Sequence, residues 1–235
     1  MQDVTGAFGL AMDLISSADR DLLEVVLLSL KVSLLAVGLS GLVGFPLGAM
    51  LATTRFSGRT IILVMTNALM GLPPVVVGLC IYLLLSRSGP MGWLGLLYTP
   101  TAMIMAQFVL VTPIVIALSR QILEDLHEEY EDQFRSLCLS RRTVIGALLW
   151  DGRYALMTVV LAGFGRAIAE VGAVMIVGGN IDHLTRVMTT TIALETSKGD
   201  LALALALGII LLSLAMLVNA LVLGVKLAAT RYAYA

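Results

Sequence analysis

The sequence predicts an all-α membrane protein with five transmembrane helices. Hydrophobic residues make up 59% of the 235-residue chain and charged residues 13%, about half the charge of an ordinary soluble domain, roughly 25%. Five runs are predominantly apolar over the length of about 20 residues that a spanning helix requires. Lipid offers no partner to a backbone N–H or C=O, so such runs are helices, and the weak alternation of a membrane barrel is missing from them.

Residues 1–21 are acidic and lack the basic start of a cleaved signal peptide. They read as an extracytoplasmic segment lying on the outer surface. The first span, 22–52, is long enough to begin outside the hydrocarbon, which leaves Glu24 near an interface. Gly38, Gly41, Gly44 and Gly48 punctuate it, and small residues let helices approach closely. The second span, 61–85, contains Pro73-Pro74 between Gly71 and Gly78. Proline removes a donor and clashes with the preceding turn, so this helix is expected to kink or open there. The break reads either as a bend that shapes packing or as a flexible wall of a translocation path.

The third span, 101–119, carries no charge. The fourth, 154–178, holds Arg166 and Glu170 four residues apart and therefore on one face. Arg166 lies about a dozen residues beyond Arg153, near mid-membrane at a rise of about 1.5 Å per residue. A charge at that depth is costly unless paired or wet. The two residues read either as a self-satisfying ion pair that fixes helix rotation or as the lining or gate of an anion path. In the outer loop, 179–200, Thr189 and Thr190 are candidates to supply hydroxyls near an outer mouth; the alternative is a plain connector. The fifth span, 201–225, leads to a tail, 227–235. Asn67 and Asn219, polar residues within apolar runs, are expected to make interhelical hydrogen bonds.

Lys and Arg set orientation. Arg55, Arg59, Arg120, Arg135, Arg141, Arg142, Arg153, Lys226 and Arg231 fall on one side; Arg20, Arg87, Arg186 and Lys198 fall on the other. The N-terminus is therefore expected outside and the C-terminus in the cytoplasm. A net charge of −1 gives no basic field for nucleic acid. Cys80, Cys138, His127 and His183 are scattered, with neither a disulfide framework nor a metal-ligand spacing. No nucleophile with a partner base is evident, and no Gly-x-x-x-x-Gly-Lys-Ser/Thr loop for ATP occurs.

The polar residues concentrate in 120–153. Leu123, Leu126, Tyr130, Phe134 and Leu137 recur at steps of three and four, on one helical face. Acidic residues from Glu124 to Asp132 fill much of the rest. Ser140 is positioned to cap a second helix, with Val144, Ile145, Leu148 and Leu149 as its apolar face. The expected form is helix, tight turn, helix, just outside the bilayer. It reads as a coupling segment that docks into a groove of a cytoplasmic partner, or as a solvated loop packed on its own bundle.

Gly-Leu-Pro-Pro-Val-Val-Val-Gly at 71–78 and Gly-Arg-Ala-Ile-Ala-Glu-Val-Gly at 165–172 resemble permease subunits of binding-protein-dependent ABC importers, in the tungstate and molybdate branch. So do the stretches 86–90, 92–95, 99–102, 173–175, 177–181, 185–186, 194–196 and 198–200. The similarity covers about 24–225. The family's cytoplasmic motif of Glu-Ala-Ala, three residues, then Gly is poorly matched: Asp132, Gln133 and Phe134 stand at Glu-Ala-Ala, Cys138 at the glycine, and Asp151 at a downstream proline.

The resemblance implies a type I, MetI-like ABC importer permease fold over 22–226. It implies a coupling helix between the third and fourth spans, with Asp132, Gln133, Phe134, Leu137, Cys138 and Ser140 meeting the ATPase. Pro73, Pro74, Arg166, Glu170, Thr189 and Thr190 become the candidate pathway or gate. The implied partners are a second copy of the chain, cytoplasmic ATPase subunits that use ATP and Mg, an extracytoplasmic substrate-binding protein, and the inner membrane of a prokaryote. The chain itself is expected to bind no cofactor or metal and to carry no catalytic residue. The implied cargo is an oxyanion: tungstate, with molybdate or another anion as the alternative. A stand-alone secondary transporter also fits intramembrane charges beside a broken helix.

Overall fold

The computed structural model describes residues 6, 9, 10, 12, 13 and 20–233, with side chains as far as Lys226. The surface placement expected for 1–21 therefore lies almost wholly outside the described residues. The helices are α1 (Arg20–Thr53), α2 (Arg59–Met70), α3 (Pro74–Leu85), α4 (Pro100–Ser136), α5 (Arg141–Asp151), α6 (Arg153–Ile168), α7 (Gly172–Gly178), α8 (Met188–Lys198) and α9 (Leu201–Ala233), with a 3-10 turn at Gly92–Leu94. Among the described residues there is no strand.

Three helices, α1, α4 and α9, are individually long and apolar enough to cross a membrane. Two further crossings by length and composition need bent pairs: α2 with α3, at 99°, and α5 with α6, at 72°. The run 61–85 is thus two helices rather than one kinked rod. Pro73 is extended, at φ −64° and ψ 122°, because a residue preceding proline is pushed out of the helical region. Pro74 then opens α3 at the first helical position, where a missing N–H does no harm.

The third apolar run continues as a single helix well past 119. At about 1.5 Å per residue, α4 is roughly 55 Å long, far more than a hydrocarbon core of about 30 Å. The first half of 120–153 is therefore the C-terminal end of α4. No breaker stops it, and Glu131–Arg135, at 2.6 Å, supports its last turns. The fourth run, 154–178, divides into α6 and α7. The last helix continues through residues assigned to the tail.

α4 is the spine. α1 runs parallel to it: Ser40 accepts from Thr112 at 3.2 Å, while Gly48 lies beside Ser119 and Arg120. A Cβ on Gly44 would sit 2.6 Å from Val115 Cγ1, so the crossing needs small residues. Gly38, by contrast, borders open space. α6 and α7, by contrast, run antiparallel to α4: Ala167 O accepts from Gln107 and Val177 O from Tyr98 N. One core cluster, including Val115, Leu123, Leu148 and Phe164, joins α1, α4, α5 and α6. A second, including Val77, Met103 and Val174, joins α3, α4 and α7. The asparagines differ from expectation. Asn219 donates to Ala215 O of its own helix, at 2.8 Å, and Asn67 is exposed.

Candidate functional site

Two helix breaks meet inside the bundle. A Cβ on Gly78 would lie 2.8 Å from Ala173 Cα, and one on Gly172 would lie 3.0 Å from Val75 Cγ2. Val75 and Gly172 stand at the starts of α3 and α7, so the Pro73-Pro74 break and the 169–171 break are side by side.

The second break contains no proline. Glu170, only 3% exposed, carries much of it. One carboxylate oxygen accepts from Arg166 at 2.5 Å; the other accepts from Ala173 N at 3.1 Å, in the first turn of α7. Carbonyls left over at the end of α6 also find partners. Gln107 Nε2 donates to Ala167 O at 3.0 Å, and Thr189 Oγ1 donates to Glu170 O at 2.9 Å. The bonds to Ala173 N and Glu170 O satisfy backbone groups that the break would otherwise leave bare; Ala167 O also accepts from Glu170 N, at 3.2 Å. Gln107 Oε1 has no protein partner; the residue borders a cavity of about 10 Å³ shared with Ser29, Ser33, Glu170 and Thr189, about one water in size. Arg166 is 32% exposed and neutralised by Glu170.

Thr190 is fully buried. Its hydroxyl donates to Val187 O and accepts from Val187 N, both at 3.0 Å, closing the start of α8. Both candidate threonines thus spend their hydroxyls on backbone groups of the bundle. Gln107 was not among the sequence candidates, although a lone glutamine in an uncharged span was its signal. Ser29, which accepts from Met188 N at 2.9 Å, gave less warning.

The inner candidates form a separate cluster. α4 ends with Cys138 N donating to Arg135 O at 3.1 Å and Leu139 N to Phe134 O at 3.2 Å. Cys138 has φ 50°. This is the paired-bond helix stop that usually places glycine at the left-handed residue. Ser140 then accepts from Thr143 N at 3.3 Å and caps α5. The apolar stripe of α4 faces its own bundle: Leu123 is buried, and Leu126, Tyr130 and Phe134 pack against the core cluster that contains Val144 and Leu148. Phe134 stacks on His127 with ring centroids 6.0 Å apart.

What points outward is the turn itself. Leu137 is 67% exposed, beside exposed Leu139, and Asp132 and Gln133 are exposed just before it. A groove of about 270 Å³ lies between α4 and α5, lined by Tyr130, Gln133, Phe134, Ala147, Trp150 and Asp151. The loop at 54–58 is fastened nearby: Glu124 of α4 pairs with Arg59 and Arg120, and Arg59 Nε donates to Leu51 O at 3.0 Å.

At the opposite end, the loop before α8 clasps the start of α1. His183 Nδ1 lies 2.9 Å from Glu24, and Arg186 pairs with Asp182 at 2.7 Å. The hydrogen bond to Glu24, then the fields of Asp182, Glu24 and Asp21, raise the His183 pKa above its ordinary value. Among the described residues, no three His, Cys, Asp or Glu side chains are grouped to hold a metal.

Comparison with known proteins bears on this architecture. A tungstate uptake system permease protein, TupB, of Peptoclostridium acidaminophilum is 39% identical over 222 residues, covering 94% of this chain and 97% of that protein. The TupB of Campylobacter jejuni is 37% identical over 212 residues, covering 90% and 89%. A probable anion ABC transporter permease protein of Haloferax volcanii is 38% identical over 205 residues, covering 85% and 88%. The family model described as binding-protein-dependent transport system inner membrane component matches residues 44–226, which include the inner turn and both breaks. This chain, a multi-pass bundle of apolar helices, belongs to that family of ABC transporter permeases.

Proposed function

We propose that this chain is the membrane subunit of an ATP-driven importer of tungstate. It works as a homodimer with two cytoplasmic ATPase subunits and one extracytoplasmic binding protein. One observation carries the reading: the exposed apolar turn at 137–139 stands at the end of a single 37-residue helix, whose first third packs on the junction of the two breaks. The names borne by the relatives supply the cargo.

In this reading the chain crosses the bilayer five times: α1, α2 with α3, α4, α6 with α7, and α9. The N-terminus lies outside. α5 stays in the cytoplasm, and the turn before it is the coupling contact. Closure of the ATPases presses on Leu137 and on the groove formed by Gln133 and Phe134. Cys138 and Ser140 hold the turn's shape, and Asp132 faces the partner. α4 is continuous from that turn to its outer end, so displacement travels along it rather than dissipating in a loop.

At the junction, Pro73 and Pro74 on one helix and the 169–171 break on another give two hinged walls. Arg166 stays neutralised by Glu170, which suits a path that must neither repel a dianion nor trap it. Thr189 and Thr190 tie α8 to this junction and serve as positioning residues. ATP and Mg belong to the ATPase.

The test is reconstitution of the complete complex in liposomes, reading radiolabelled tungstate uptake and tungstate-stimulated ATP hydrolysis. Leu137→Asp is expected to abolish stimulation while the chain still folds. Undiminished stimulation would remove the coupling role. Uptake by the chain alone, without ATPase or binding protein, would make it a secondary transporter. Competition by molybdate as strong as by tungstate would redraw the cargo.

A further inference from the structure

We propose that the groove between α1, α5 and α6 binds one anionic phospholipid, with an acyl chain along the groove and the phosphate on Arg153. The groove has a volume of about 440 Å³. Leu42, Phe45 and Pro46 of α1 form one wall, Leu149 of α5 closes the inner end, and Met157 and Val160 of α6 form the other wall. Arg153 is the only charged or polar side chain on that lining. Leu42, 73% exposed, marks its open side. None of the junction residues lines it, so it is separate from the proposed cargo path.

Arg153 stands at the first position of α6, where the chain turns by 72° from α5. Its guanidinium lies over the rings of Trp150 and Tyr154, at 4.6 and 4.4 Å from their centroids. It donates to Trp150 O and to Tyr154 OH. Both acceptors are neutral, and among the described residues no carboxylate pairs with Arg153. Asp151, two residues away, lines the other groove, with Gln133 and Phe134.

A guanidinium presents five donors and matches phosphate oxygens in geometry. Aromatic residues beside it are the chemistry of a membrane interface. A basic residue at the end of an apolar cleft between helices is how anionic headgroups are held. A helix of a second copy laid over this groove would instead bury an unpaired charge, which is unfavourable unless that helix brings an acid.

The test uses the full chain in its purified complex, stripped of lipid in detergent, with phosphatidylglycerol or phosphatidylcholine added back and retention read by native mass spectrometry. One phosphatidylglycerol per chain is expected to be retained, and phosphatidylcholine about fivefold less, the ratio set by one cation near a headgroup. Arg153→Gln is expected to bring phosphatidylglycerol down to the phosphatidylcholine level. Val160→Trp, which fills the groove and leaves the guanidinium, is expected to reduce both.

Equal retention of the two lipids by the unaltered chain would overturn the proposal, and so would retention unchanged by both substitutions. Should Arg153→Gln fail to assemble, the lipid comparison and Val160→Trp still decide. Loss of the dimer in Val160→Trp with lipid retention unchanged would assign the groove to a second copy. The readout involves no tungstate, so it stands or falls separately from the transport reading.

Discussion

The inner turn at 137–140 and the mid-bundle break at 169–171 perform the same operation: one helix stops and another starts within a few residues. They are built differently. The inner turn is held by its own neighbours, Cys138 to Arg135, Leu139 to Phe134, and Thr143 to Ser140. The break is held from afar, by Gln107 of α4, sixty residues away, and Thr189 of α8, nineteen away. The Arg166–Glu170–Ala173 chain and the bond from Glu170 N to Ala167 O are local to it. A locally encoded turn can depart from its preferred residue, as Cys138 does, and keep its shape. A break assembled from distant partners fails when any one of them is changed. The Pro73-Pro74 break belongs with the first kind, because ring closure enforces it.

The contrast can be broken at several points. The largest effect is expected for Glu170→Ala, which strips Arg166 of its partner and α7 of its cap; removing one partner of a buried pair costs about 3 kcal/mol or more. Thermal unfolding in detergent reads it. Arg166→Met combined with Glu170→Met is expected to recover part of that loss, because no charge is left unpaired, but not the part due to the cap. If Glu170→Ala is no worse than a change at the inner turn, the contrast fails.

Gln107→Leu removes one of the two donors to Ala167 O, which keeps Glu170 N at 3.2 Å. Loss of that hydrogen bond, with the acceptor still satisfied, costs about 1.5 kcal/mol, and the same unfolding measurement should show it.

At the inner turn the effects are smaller. Ser140→Ala removes one cap and should cost about 1 kcal/mol. Cys138→Gly should stabilise by about 1 kcal/mol, because glycine occupies the left-handed region without the Cβ clash, and transport should be retained. A destabilised Cys138→Gly would mean that the thiol makes a contact the turn needs.

The smallest effect concerns the outer clasp. His183 is exposed and holds its proton more tightly when folded, through its hydrogen bond to Glu24 and then the fields of Asp182 and Asp21. A pKa raised on folding adds stability that is fully present below the ordinary value of 6.5 and is lost as pH rises through the raised value. Hydrogen exchange at 180–187 should therefore accelerate from pH 6 towards pH 9, beyond the ordinary intrinsic increase with pH. His183→Asn, which tolerates the same positive φ, should remove that excess.

Much of this was legible in the chain. Apolar runs of spanning length gave the membrane class and the approximate crossings. Two adjacent prolines announced one break, and Ser140 announced the start of α5. The period of Leu123, Leu126, Tyr130 and Phe134 marked a real apolar face. That period was silent about whether the face meets a partner or its own bundle, since either gives the same spacing. Leu123, Leu126, Tyr130 and Phe134 pack inward, and the surface left for a partner is Leu137, Leu139 and the groove beside them.

By itself, then, the sequence determined what depends on neighbours along the chain: solvent, helix, proline break and cap. Those follow from backbone donors that lipid cannot satisfy and from rings and hydroxyls acting within a few residues. Only the tertiary structure decided that α4 runs unbroken to the turn at 137–140, that α6 stops at Ile168 without a proline, and that Gly78 and Ala173 bring two breaks together. Those depend on close packing and on hydrogen bonds between residues far apart in number, which no local pattern specifies.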